Sequence, residues 1–118
     1  LKIIDKDAVI KAEIRRLNKI CADIPDNVKG MVKPLIERIA FNHCMLILLE
    51  DDIKQNGVKQ TYQHGENQSG EMSNPSVKTH NSTMTVYLKA LKQLVDIAFK
   101  DLPADEKASK LDAFRYEE

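Results

Sequence analysis

The chain has 118 residues, 18 Lys plus Arg against 18 Asp plus Glu, and only 5% aromatic residues. That length is one domain, or a small domain with an arm, and zero net charge excludes both a strongly basic DNA-binding domain and an acidic disordered tail. Charge is nevertheless uneven: residues 1–30 hold seven basic and five acidic side chains, residues 101–118 three and six, so an anion-facing surface is expected near the N-terminus.

Ile10, Ile14, Leu17, Cys21 and Ile24 recur at spacings of three and four, which predicts an amphipathic first helix. Lys6, Lys11, Arg15, Arg16 and Lys19 fall on its other face, and Lys29 follows in the turn. Pro25, Asp26, Asn27 and Gly30 suit a joint.

A second helix is expected from about Met31 to Gln55, with Pro34 in its first turn; an earlier start would place a kink at Pro34. Its centre, CMLILL, is apolar on nearly all sides. Such a stretch is either the middle of the core or is shared with neighbouring chains. Gly57 is placed to follow the C-cap.

The polar stretch 61–78, TYQHGENQSGEMSNPSVK, then reads as an ordered connector over 57–75, with its glycines permitting positive φ at turns. Residues 58–63 are its one strand candidate. A third helix is expected to start near Asn74 or Ser76, where S-N-P-S supplies cap side chains and a first-turn proline, or later near Ser82 because HNST is a poor helix former. Pro103 stops it. Residues 104–118 form a short helix with Leu111 and Phe114 inward, or a frayed tail.

The fold class expected is therefore all-α. A long antiparallel hairpin (residues 31–103) is flanked by an N-terminal helix and turn (1–30) and a C-terminal helix, in one domain of 1–118. The apolar surface exceeds what one small chain covers. Met45, Leu46, Leu49, Tyr87, Leu88, Leu91, Leu94 and Val95 are the residues expected at a contact between copies.

Chemistry is sparse. Gly65 and Gly70 lack the Lys and Ser/Thr of a phosphate loop. His64, Glu66 and His80 match no metal-ligand spacing, and Glu50 to Asp52 reads as a solvated helix turn. His43 and Cys44 are adjacent and point to different sides of a helix. Cys21 and Cys44 read as buried small hydrophobes of a cytosolic protein, with the one disulfide that two cysteines permit as the alternative. No catalytic residue, metal or cofactor is expected. No run approaches the roughly 18 apolar residues of a membrane span, and no secretory leader is read at the start. Lys6, Lys11, Arg15, Arg16, Lys19 and Lys29 remain either a DNA-facing patch or a solvated face. Tyr62, Gln63, Gly65, Asn67, Gln68 and Gly70 supply polar recognition at a hairpin tip or simply order the loop.

Residues 41–102 resemble the small terminase subunits of tailed bacteriophages, in the branch found in phages and prophages of low-GC Gram-positive bacteria. The likeness lies in IAFNHCMLILLEDDIKQNG (39–57), in the Y-x-x-G-x-N-Q-x-G segment of Tyr62, Gly65, Asn67, Gln68 and Gly70, in Tyr87, Leu88, Lys92 and Leu94, and in the Leu102–Pro103 step. It covers about half the chain. The resemblance implies a non-enzymatic helical subunit that binds double-stranded viral DNA, presents it to a large subunit carrying the ATPase and nuclease, and assembles as a homo-oligomeric ring in the host cytoplasm. It implies no individual base-reading residue. The runner-up is a helical protein–protein module that does not touch DNA.

Overall fold

Four helices account for most of the chain, and their boundaries follow from local chemistry. The computed structural model describes residues 4–63, 65 and 69–116, with Gln60, Tyr62, Gln63 and Tyr116 described by backbone alone. Helix α1 spans Lys6–Ile20, where the Asp5 side chain accepts a hydrogen bond from Ala8 N at 3.1 Å and so caps it. Helix α2 spans Asp26–Asn56. It begins five residues before the expected Met31, because Pro25, read as part of the joint, is itself the N-cap and its carbonyl accepts from Lys29 N at 2.9 Å. Pro34 consequently lies inside the helix rather than in its first turn.

Gly57 closes α2 at φ 76°, a left-handed conformation that costs glycine little. The connector is a β-hairpin, β1 (Lys59–Gln63) with β2 (Ser69–Ser73), paired antiparallel from Lys59↔Ser73 to Gln63↔Ser69. Gly65 has φ 85°, as a turn glycine should. Gly70, expected in a turn, is instead a strand residue opposite Tyr62. Helix α3 runs Pro75–Ala98 with Asn74 as N-cap, which fixes the early start. Helix α4 spans Ala104–Tyr116, so the C-terminal stretch is helix, not tail.

The fold is all-α with one short hairpin. The main core gathers at one end of the α2/α3 pair, where α1 and α4 cover it: Leu17, Cys21, Ile24, Val32, Ile36, Ile39, Leu91, Leu94, Val95 and Phe114 are all buried together. The far half of the pair has no such cover. The radius of gyration is 18.3 Å, against about 13–14 Å for a compact chain of this length. The principal extents of 64 × 29 × 24 Å say the same. Helix α2 is by itself about 46 Å long, and the five-residue ribbon about 17 Å.

Candidate functional site

The six basic residues do not form one patch. At 100° per residue, Lys11, Arg15 and Lys19 share a stripe of α1 with Asn18, while Lys6 falls on a different side. All four cations are exposed. Lys29 is also exposed and stands 3.9 Å from Asp26. It lines a groove of about 280 Å³ between α1 and α2, with Ile14, Asn18, Lys33 and Glu37 among the other walls. Lys33 was missed in the sequence; its signal was the i,i+4 spacing from Lys29.

Arg16 departs from the expected DNA-facing role. Its Nε and Nη2 donate to the two oxygens of Glu13 at 2.6 and 2.7 Å. Nη2 also donates to the Phe114 carbonyl at 2.7 Å, near the end of α4. Glu13 is only 5% exposed, so the guanidinium neutralises a buried carboxylate and satisfies a helix-terminal carbonyl in one stroke. His43 Nδ1 lies 3.7 Å from the same carboxylate.

The base of the hairpin is a second polar centre. Asn74 is 1% exposed. Its Nδ2 donates to Asp52 Oδ2 at 3.1 Å and to the Gly57 carbonyl at 2.9 Å, while its Oδ1 accepts from Ser76 N at 3.0 Å. One side chain thus ties the end of α2 to the start of α3. Hydrogen bonds from Ser76, Asn74 and Asn56 hold the Asp52 carboxyl below its usual range. Asn74→Ala orphans these groups and removes a helix cap, so it is expected to cost about 2 kcal/mol in urea unfolding. Hydrogen exchange should rise first in β1 and β2 and not at Leu91.

His80 and Glu50 join the same two helices one turn further along, with Nε2 to Oε2 at 2.9 Å. The Glu50 hydrogen bond raises the His80 pKa above 6.5 against a smaller opposing effect of burial. A raised folded pKa means that the pair's contribution is complete below the unfolded value near 6.5 and is lost as pH rises through the folded one. Stability of the native chain should therefore fall, relative to His80→Gln, as pH climbs above about 6.5. Parallel curves for the two proteins would remove the pair from the pH response. Glu50 and Asp52, expected merely to be solvated, both serve the inter-helix joint.

The residues expected at a contact between copies divide. Leu46, Leu91, Leu94 and Val95 are buried within the chain's own core and offer no surface. Met45, Leu49, Tyr87 and Leu88 are half-buried. The open apolar surface lies elsewhere: Met31 is 67% and Phe41 55% exposed on α2, and Val86 is 55% exposed on α3. On α2 these continue a 3-4 repeat, Met31, Pro34, Arg38, Phe41, Met45 and Leu48, that carries one charge and faces away from the core. Interior and outward periodicity both read as apolar in CMLILL, so composition alone could not sort them.

Of the connector residues, Tyr62, Gln63 and Gly70 lie in the strands and Gly65 in the turn; Asn67, Gln68, His64 and Glu66 lie outside the described residues. Among the described residues no group of three His, Cys, Asp or Glu side chains could hold a metal ion. Cys21 and Cys44 are free and buried, and burial pushes the Cys21 thiol up to about 11. No described helix is long and apolar enough to cross a membrane. What the arrangement offers is surface: a basic stripe beside a groove, an apolar helix face and a projecting ribbon. No protein-family model, curated protein or solved structure matches the chain.

Proposed function

We propose that the chain is the small subunit of a phage DNA-packaging terminase. It binds double-stranded DNA through the exposed lysines and Arg15 of α1 and the α1/α2 groove, self-associates along its long helices, and delivers DNA to a large subunit. It does no chemistry itself; ATP hydrolysis and DNA cleavage belong to that partner, in the host cytoplasm. The observation that carries this reading is the sequence likeness of residues 41–102, whose segments fall in α2, the ribbon and α3. The apolar outer face of α2 supports self-association, since scattered exposed apolar residues are ordinary but a one-face repeat is not.

The test is duplex DNA binding across salt. Each phosphate contact contributes about 0.9 to the slope of log K against log salt, so a Lys11→Ala/Arg15→Ala/Lys19→Ala variant should bind with a slope shallower by about 2.7. An unchanged slope removes α1 as the DNA face. Absence of any salt-sensitive binding, with a solution mass several times that of one chain, selects the second reading, a helical interaction module without DNA contact. Zero net charge and the internal engagement of Arg16 favour that alternative.

A further inference from the structure

We infer that the β1/β2 ribbon is a strand-pairing arm, and that the β1 edge of one copy adds to the β2 edge of the next. This rests on the self-association in the reading above, and it names the surface and the register.

The ribbon is bare. Every strand residue with a described side chain is exposed except the half-exposed Gly70, and neither strand contributes to the buried core. A two-stranded hairpin with no packed face is marginal on its own. Yet this one is held at its root by the buried Asn74. A stiff root under an otherwise unsupported ribbon fits an arm that is completed by a partner.

The edges are open, and their polarity can be read. Asn74 N donates to Val58 O at 2.9 Å. These two residues continue the register of Lys59↔Ser73. Bonded and non-bonded pairs alternate in an antiparallel ladder. The bonded pairs are then Gln60/Met72 and Tyr62/Gly70, and the backbone groups of Lys59, Thr61 and Gln63 point outward on one edge, those of Ser69, Glu71 and Ser73 on the other. Neither strand carries a proline, and the register runs without a bulge, so two of the usual protections against edge pairing are missing.

Charge selects the occupant. The described strands carry one cation, Lys59 on β1, and one anion, Glu71 on β2, which lie 4.0 Å apart diagonally within the chain. Joining β1 to the β2 of another copy in the same register repeats that diagonal at the new seam. Joining β2 to β2 about its centre sets Glu71 against its own copy, which is unfavourable. Duplex DNA is a poorer occupant, because a ribbon with balanced charge releases few counterions. Five residues of edge are too little for a stable interface of about 1,200–2,000 Å². The ribbon, however, follows α2 directly after Gly57 in a molecule 64 Å long, so a neighbour lying along Phe41, Met45 and Leu48 can reach the edge as well.

The experiment compares the full chain with Thr61→Pro, which removes an outward-facing N–H, and Glu71→Pro, which removes an outward-facing N–H together with the carboxylate that pairs with Lys59. It reads solution mass against concentration by light scattering, with far-ultraviolet circular dichroism as the folding control. A second arm mixes two variants with one added cysteine each, Lys59→Cys and Ser73→Cys, under mild oxidation, the native Cys21 and Cys44 being buried. The expected results are assembly of the native chain, a concentration for half-assembly raised at least tenfold in each proline variant at unchanged helicity, and a mixed 59–73 disulfide between chains. Proline variants that assemble like the native chain, without a mixed disulfide, overturn the inference and leave the packaging reading standing. A native chain that stays monomeric overturns the inference together with self-association. Proline variants that lose DNA binding at unchanged mass give the ribbon to DNA instead. Mixed disulfides in a chain that ignores DNA uphold the arm while the packaging reading falls.

Discussion

Arg16→Ala should lower the free energy of unfolding by about 3 kcal/mol, the cost of leaving a buried carboxylate without its partner. The effect is large because one guanidinium has three tasks. It grips both oxygens of Glu13 at 2.6 and 2.7 Å, and it takes the Phe114 carbonyl at 2.7 Å. Removing it strands a side chain that is 5% exposed and frees the C-terminal turn of α4. Lysine cannot substitute: it is a point charge without the planar fork, so Arg16→Lys should recover less than half of the stability lost in Arg16→Ala. The neighbouring Arg15 is exposed, and Arg15→Ala should stay within about 0.5 kcal/mol of the native chain. A double replacement, Glu13→Leu with Arg16→Met, should recover most of the loss, since a buried pair exchanged for apolar groups of similar size is near neutral. Guanidinium unfolding of the four variants beside the native chain checks the set. An Arg16→Ala chain as stable as Arg15→Ala would mean that the bridge is incidental. The comparison also protects the DNA experiment, because a loss of binding in Arg16→Ala reports unfolding rather than a missing phosphate contact.

The same residue shows how far the sequence could be read. Arg15 and Arg16 are indistinguishable as letters, and helical spacing places both beside Lys19. What separates them is α4, which arrives 98 positions later to offer the Phe114 carbonyl. No local pattern encodes that meeting. The helices themselves were readable because Leu17, Ile36, Ile39, Leu91 and Leu94 carry the period of a buried stripe, and caps such as Asn74 are chemical signals. Strand β2 was not: SGEMS has almost no strand propensity and is a strand because β1 lies beside it and Asn74 fixes its end. The helix-pair surface was half readable. Spacing found an excess of apolar side chains, but which of them α1 and α4 would cover depended on where those short helices dock. Leu91, Leu94 and Val95 face the buried core and went inside, while Phe41 and Val86 lie on outward faces and stayed out.

Phe114→Ala should cost about 3–5 kcal/mol, the range for truncating a buried aromatic ring. For a domain whose total stability is about 5–15 kcal/mol, that is a large share. Phe114 is 0% exposed and belongs to the same cluster as Leu17, Ile24, Leu91 and Val95, so its ring joins α4 to α1 and α3. Phe99 stands 6.5 Å away between ring centroids, tilted by 42°, and Lys110 Nζ sits 4.9 Å over the Phe99 ring. Helix α4 itself is polar on most sides, and Phe114 is its one buried residue among those described. Without that ring, little apolar area holds α4 in place. The damage should therefore be graded along the molecule: amide protection falls throughout α4 and near Leu17, whereas the Asn74 joint and the Glu50–His80 pair, at the other end of the long helices, keep theirs. Phe114→Leu, which retains most of the volume, should lose about 1–2 kcal/mol. A Phe114→Ala chain that unfolds within 1 kcal/mol of the native one, or that loses protection uniformly, would show that α4 is not what closes the core.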